Sequence, residues 1–117
     1  MTKRVNARDL HRFAVADLLG SDNAGTIAPN TFARREDDGS IVVTLHSTDI
    51  VRDHGNGIFT LNTGGWNTTT TRQRMNAVLP ENVKVRSIKS KPHVVIQGSR
   101  GEVVWPLADG DTIDATI

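Results

Sequence analysis

The sequence predicts an α+β fold: an antiparallel sheet of five to seven strands with an N-terminal helix and one short inserted helix, in a single domain over residues 1–117. Three observations lead there. Apolar residues recur at helical spacing near the N-terminus and again past the middle of the chain. Elsewhere the period drops toward two, in short runs rich in valine and isoleucine. Turn residues such as Asp38-Gly39 separate neighbouring runs by a few positions, which suits hairpins rather than crossovers.

The first helix is read over "NARDLHRFAVADLLGSDNAG", where Leu10, Phe13, Ala14 and Leu18 share a face. Asn6 is the expected N-cap and Gly20 the stop. Ser21 to Asn30, with Gly25 and Pro29, reads as a loop. "TFARREDDGSIVVTLH" then gives two strands around Asp38-Gly39. "TDIVRDHGNGIFTLN" gives two more around the turn His54 to Gly57, and successive hairpins imply a meander. Met75, Val78 and Leu79 define the inserted helix, and Pro80 ends it after about three turns. "NVKVRSIK", "PHVVIQG", "EVVWPL" and "DTIDATI" read as strands, with turns at Ser99 to Gly101 and at Asp109-Gly110.

Composition narrows the chemistry. A chain of 117 residues buries roughly two-thirds of its unfolded surface and folds without staples. The absence of cysteine excludes disulfides, thiolate metal sites and cysteine nucleophiles. No stretch approaches the ~18 apolar residues of a membrane span, and the N-terminus lacks a secretion signal, so a soluble intracellular protein is expected. Net charge is +1, but six basic residues and one acidic residue fall between Arg72 and Lys91. That segment is either an anion-binding face or a solvated one.

The run "LNTGGWNTTTTRQRMN" holds the unusual chemistry. Gly64 and Gly65 permit a sharp turn after a strand. Trp66 follows, as core anchor or as ligand platform. Thr68 to Thr71 lead into the inserted helix, with Thr70 or Thr71 the expected N-cap. Free N–H groups at a helix start, threonine hydroxyls and the guanidinium groups of Arg72 and Arg74 together suit a phosphate. With Trp66 as stacking surface, the ligand class is a nucleotide or nucleic acid. "VKVRSIKSK" puts Lys84 and Arg86 on one strand face; beside the helix they join Arg72 and Arg74 in one basic patch. The candidate site is therefore Gly64, Gly65, Trp66, Thr68, Thr70, Thr71, Arg72, Arg74, Lys84 and Arg86. The plainer account of the same residues is a capping turn and an edge strand guarded by cations.

"LHSTDIV" followed by "GIFTLNTGGWNTTTTRQRMNAVLP" resembles a family of small bacteriophage and prophage proteins. Its members share a T-D-I-V strand, an L-N-T/S-G-G-W turn and a T-T-x-x-R-[ML]-N helix start. The resemblance covers residues 45 to 80. It implies a viral protein of the host-cell cytoplasm with an accessory role: counter-defence, host takeover or nucleic-acid handling. It supplies no catalytic residues.

Other chemistry is thinner. His46, Asp49, Asp53 and His54 lie close in sequence, but strand parity puts His46 and Asp49 on opposite faces, and no zinc spacing is present. Ser47 beside His46 has no nucleophile elbow. Asp37-Asp38 and "DGD" at Asp109 to Asp111 read as turns. The expectation is a non-catalytic accessory binding protein without cofactor or metal, whose partner is a nucleic acid or nucleotide. A host or phage protein as partner, in a counter-defence inhibitor or structural phage component, is the alternative. A small metal-assisted hydrolase is a more distant one. No membrane partner is expected, and self-association would cover an exposed sheet face.

Overall fold

In the computed structural model, which describes residues 1–116, Asn6 opens the first helical turns as expected, its side chain accepting from the Asp9 N–H at 2.9 Å. The helix is not continuous. A 3-10 helix, Ala7–Arg12, gives way at extended Phe13 and Ala14 to a short α1, Val15–Leu19, which Gly20 ends at φ 61°. The break lets Leu10, Leu18 and Leu19 all reach one cluster with Ile27, Ala28 and Ala33. A straight helix has no single face holding both adjacent leucines together with Leu10.

The segment read as a loop contains a strand, β1 (Ala24–Ala28), paired with β2 (Thr31–Arg35). Gly25 and Pro29 mask it in the sequence. Gly25 is required because a Cβ there would collide with the Thr2 side chain, which packs across the strand. The Thr2 hydroxyl and N–H both bind Asp22, and the Val5 N–H binds the Ile27 carbonyl at 2.9 Å, so the N-terminus covers the edge of β1.

The remaining elements are β3 (Ile41–Leu45), β4 (Thr48–Gly55), β5 (Ile58–Leu61), α2 (Thr69–Val78), β6 (Val83–Ile88), β7 (Lys91–Gly98), β8 (Gly101–Pro106) and β9 (Asp111–Asp114). Ile117, the last residue of the predicted strand "DTIDATI", lies outside the described residues. The α+β class and the antiparallel pairing stand, but the strands divide between two sheets. One has six strands in the order β1-β2-β3-β4-β5-β9, and the other has β6-β7-β8. The cause is α2. It carries the chain off the meander after β5, so the next three strands pair with their hairpin neighbours. Only β9 returns, pairing with β5.

The inner faces of the two sheets and α2 enclose the main core. Val43, Leu45, Phe59 and Leu61 come from one sheet, Val83, Val85, Val94 and Ile96 from the other, and Met75 and Leu79 from the helix and its C-cap. Consecutive Ile50 and Val51 both belong to the main core, whereas a regular strand turns neighbours to opposite faces. The register against β3 slips between Val43 and Thr44, and that bulge turns both side chains inward. Val15 and Val78 pack against both clusters and join them.

The free edge of β6 is closed by one side chain. Asn76 of α2 accepts from the Val85 N–H at 2.7 Å and donates to the Val85 carbonyl at 3.0 Å. At the opposite edge, β8 exposes Val103 and Val104, and Pro106 offers no N–H. Replacing Asn76 orphans both Val85 groups, so Asn76→Ala is expected to cost about 2 kcal/mol. Urea unfolding measures this, and an unchanged midpoint would mean that water substitutes freely for the amide.

Candidate functional site

Leu61 ends β5, and the Gly64-Gly65 turn follows with φ 64° and 85°. Asn62 accepts from the Gly64 N–H at 2.8 Å and starts the turn. A distant carboxylate holds it. Asp109, in the loop before β9, accepts from the Thr63 N–H at 2.7 Å, the Thr63 hydroxyl at 2.8 Å and the Gly65 N–H at 3.2 Å. Burial pushes the Asp109 pKa up, but the hydrogen bonds from Thr63 and the two glycines outweigh it and leave the carboxyl below its ordinary range. The sequence shows Asp109 only as half of an Asp-Gly turn. Nothing local reveals that it clasps residues 46 positions earlier.

The clasp leaves Trp66 in solvent, its side chain 66% exposed. Trp66 therefore takes no part in the core. The helix that follows is capped one turn earlier than expected. Thr68, rather than Thr70 or Thr71, accepts from the Thr71 N–H at 3.2 Å and also binds the Thr71 hydroxyl at 3.0 Å. Thr69 to Thr71 form the first turn of α2, where no preceding turn crowds a β-branched side chain. Thr71 is buried and Thr70 is exposed.

The two arginines part company. The Arg72 guanidinium donates to the Asn67 side-chain and backbone oxygens at 2.6 and 3.1 Å. Arg74 reaches the other way, donating to the Thr31 hydroxyl at 2.9 Å and the Pro29 carbonyl at 3.5 Å. Lys84 and Arg86 do share the outer face of β6, between buried Val83 and Val85. Arg86 lies 3.8 Å from Glu102. The four cations therefore do not form one patch.

Arg74 and Lys84 meet instead in a cleft of about 560 Å³ between the 3-10 helix, α2 and β6, where Arg8 and His11 join them. Gln73, Asn76 and two alanines complete its lining, which contains no carboxylate. Arg8 lies 3.9 Å from Asp9, an exposed and weak pairing. Arg8 and His11 belong to a helix that the sequence offered only as scaffold, and no spacing rule links them to residues more than sixty positions away.

Trp66, Thr68 and Thr71 line a separate hollow of about 400 Å³ with Thr63, Leu45, His46, Ser47, Thr48 and Ile50. Gly64 packs against this wall without a side chain, since a Cβ there would lie 2.7 Å from the Thr48 methyl. His46 stands exposed at φ 54° in the β3–β4 turn. The other acids and histidines near it have partners. Arg34 donates to both Asp49 oxygens at 3.1 and 2.9 Å, which with Thr44 holds that carboxyl below its usual range. His54 shares a hydrogen bond of 2.6 Å with Thr60. Among the described residues no group of three or more His, Asp or Glu side chains is placed to hold a metal.

A family described as Kyanoviridae Gp96 protein matches residues 8–113. The chain belongs to this phage protein family. The match takes in the N-terminal helices and the C-terminal strands as well as the turn motif. Neither a curated protein nor a solved structure shows a significant match. Among the described residues no helix is long and apolar enough to cross a membrane.

Two outcomes test this geometry. Thr68→Ala is expected to cost about 1 kcal/mol, and Thr70→Ala to stay within about 0.5 kcal/mol. Denaturant midpoints that rank the pair the other way would move the cap. The depressed Asp109 carboxyl stabilises the turn fully above the ordinary aspartate pKa, and this is lost as pH falls through the lower folded value. Protection of the Gly65 amide, taken relative to its intrinsic exchange rate at each pH, should therefore fall on acidification in the wild type. In Asp109→Asn that protection should be low at every pH, and equal protection in both proteins would show that the clasp is idle.

Proposed function

We propose that the chain is a non-catalytic phage accessory protein that binds a phosphate-bearing ligand, a nucleic acid or nucleotide. The observation that carries this is the carboxylate-free cleft in which Arg8, His11, Arg74 and Lys84 converge. Like charges gathered in a hollow repel one another, and a bound polyanion relieves that repulsion. Arg74 is well suited to phosphate because Thr31 and Pro29 already fix its guanidinium, so little rotamer freedom remains to be lost on binding. On this reading the phosphate contacts fall to Arg74 and Lys84 from the expected set, with Arg8 and His11 added. Arg72 and Arg86 contribute less, because neither lines this cleft and Arg86 lies beside Glu102.

A second reading rests on Trp66. A tryptophan 66% exposed beside a hollow containing Leu45 and Ile50 is also what a protein partner grips. On that reading the chain is a counter-defence inhibitor or a structural phage component, and the open β8 edge is a further contact surface.

Salt separates the two. Anisotropy titration with a labelled oligonucleotide should show affinity falling steeply as salt rises. Arg8→Ala combined with Lys84→Ala, both exposed and outside the core, should lower the slope of log K against log salt by about 2. Binding by the double variant equal to wild type would remove the cleft from the account, and salt-tolerant capture of a defined protein would favour the second reading.

A further inference from the structure

In an antiparallel meander the first turn, the third turn and the exit of the fifth strand fall at the same end of the sheet. Three unusual residues lie at that end. The β1–β2 turn carries Asn30, the β3–β4 turn carries His46, and the chain leaving β5 carries Trp66. The His46 N–H donates to the Asn30 carbonyl at 2.9 Å, which ties two of these turns together. The Trp66 hollow and a second hollow, lined by Arg4, Thr26, Asn30, Thr31 and Phe32, both include His46 in their walls. Phe32 is 40% exposed on the outer face of β2, although an exposed strand position ordinarily takes a polar residue. Thr31, at the base of the second hollow, accepts from Arg74, which also lines the basic cleft.

We infer that this end of the sheet is a track for single-stranded nucleic acid, with Trp66, His46 and Phe32 as successive base platforms and Arg4 on the phosphates. The inference rests on the phosphate-binding reading above and adds the strand state and the route. Three exposed rings along adjoining hollows, with Arg4 in one lining and no carboxylate in either, is the arrangement that unstacked bases require. A duplex keeps its base faces stacked and offers nothing to these rings. Asp49, two strands from Phe32 on the same face, is paired with Arg34, and Asp109 beside the Trp66 turn is engaged by Thr63 and Gly65. Base–ring stacking tolerates any base, so the track reads strand state rather than sequence.

The test uses the whole chain with a labelled oligothymidylate of about twenty nucleotides and a duplex of the same length. The single strand is expected to bind at least tenfold more tightly than the duplex. Trp66→Ala and Phe32→Ala, both at exposed positions, should each weaken the single strand about tenfold and leave the duplex unchanged. Quenching of Trp66 emission on titration, read in a Trp105→Phe background, should follow the same curve. Equal affinity for single strand and duplex, or ring variants that bind like wild type, would overturn the track. The phosphate reading survives that outcome if the Arg8 and Lys84 variants still lose binding. A wild-type chain that binds neither oligonucleotide sinks both.

Discussion

Three consecutive residues of α2 hold the molecule together. Arg74 ties the helix to the β1–β2 turn, Met75 fills the centre of the core, and Asn76 takes both backbone groups of Val85 on the open edge of the small sheet. A helix directs neighbouring side chains about 100° apart, so one short segment can grip three different elements. The constraint matters because the two sheets share no strand pairing. Their inner faces pack, but apolar packing alone is non-directional and does not fix one sheet relative to the other. The amide of Asn76 supplies the direction, and the basic cleft exists because this seat sets β6 beside the 3-10 helix.

The strands were legible wherever burial alternates or a hairpin turn is marked, as in β2 to β5 and β6. β1 was not, because Gly25 answers to Thr2 and not to any local rule. The N-terminal helix was legible in its cap and its stop but not in its break, since only the position of the Leu18-Leu19 pair relative to Ile27 and Ala33 demands one. The division into two sheets was hidden for a similar reason. Sequence patterns specify which strands neighbour each other in a hairpin, but which hairpins join into one sheet depends on where α2 sends the chain.

At the site, local chemistry was read correctly in kind and misplaced in space. The turn at Gly64-Gly65, the capping threonine and the paired faces of β6 are there, but Arg72 and Arg74 leave the helix in opposite directions. Most of the T-D-I-V, L-N-T-G-G-W and R-M-N residues turn out to hold the fold. Asp49 pairs with Arg34, Ile50 and Val51 fill a bulge, Asn62 and Thr63 build the turn, and Arg74 to Asn76 seat the helix. Trp66 alone among them leaves most of its side chain in water.

The Asp109 clasp also sets a schedule. Domains emerge from the ribosome N-terminal end first. The meander, α2 and the hairpins of the small sheet lie upstream of residue 109, so their chain is already available while the turn beneath Trp66 still lacks its carboxylate. That turn acquires its shape only when the last loop arrives and β9 docks on β5. A truncated translation product therefore carries the tryptophan on an untethered loop, and the turn beneath it takes its final shape only in chains that have been synthesised nearly to completion.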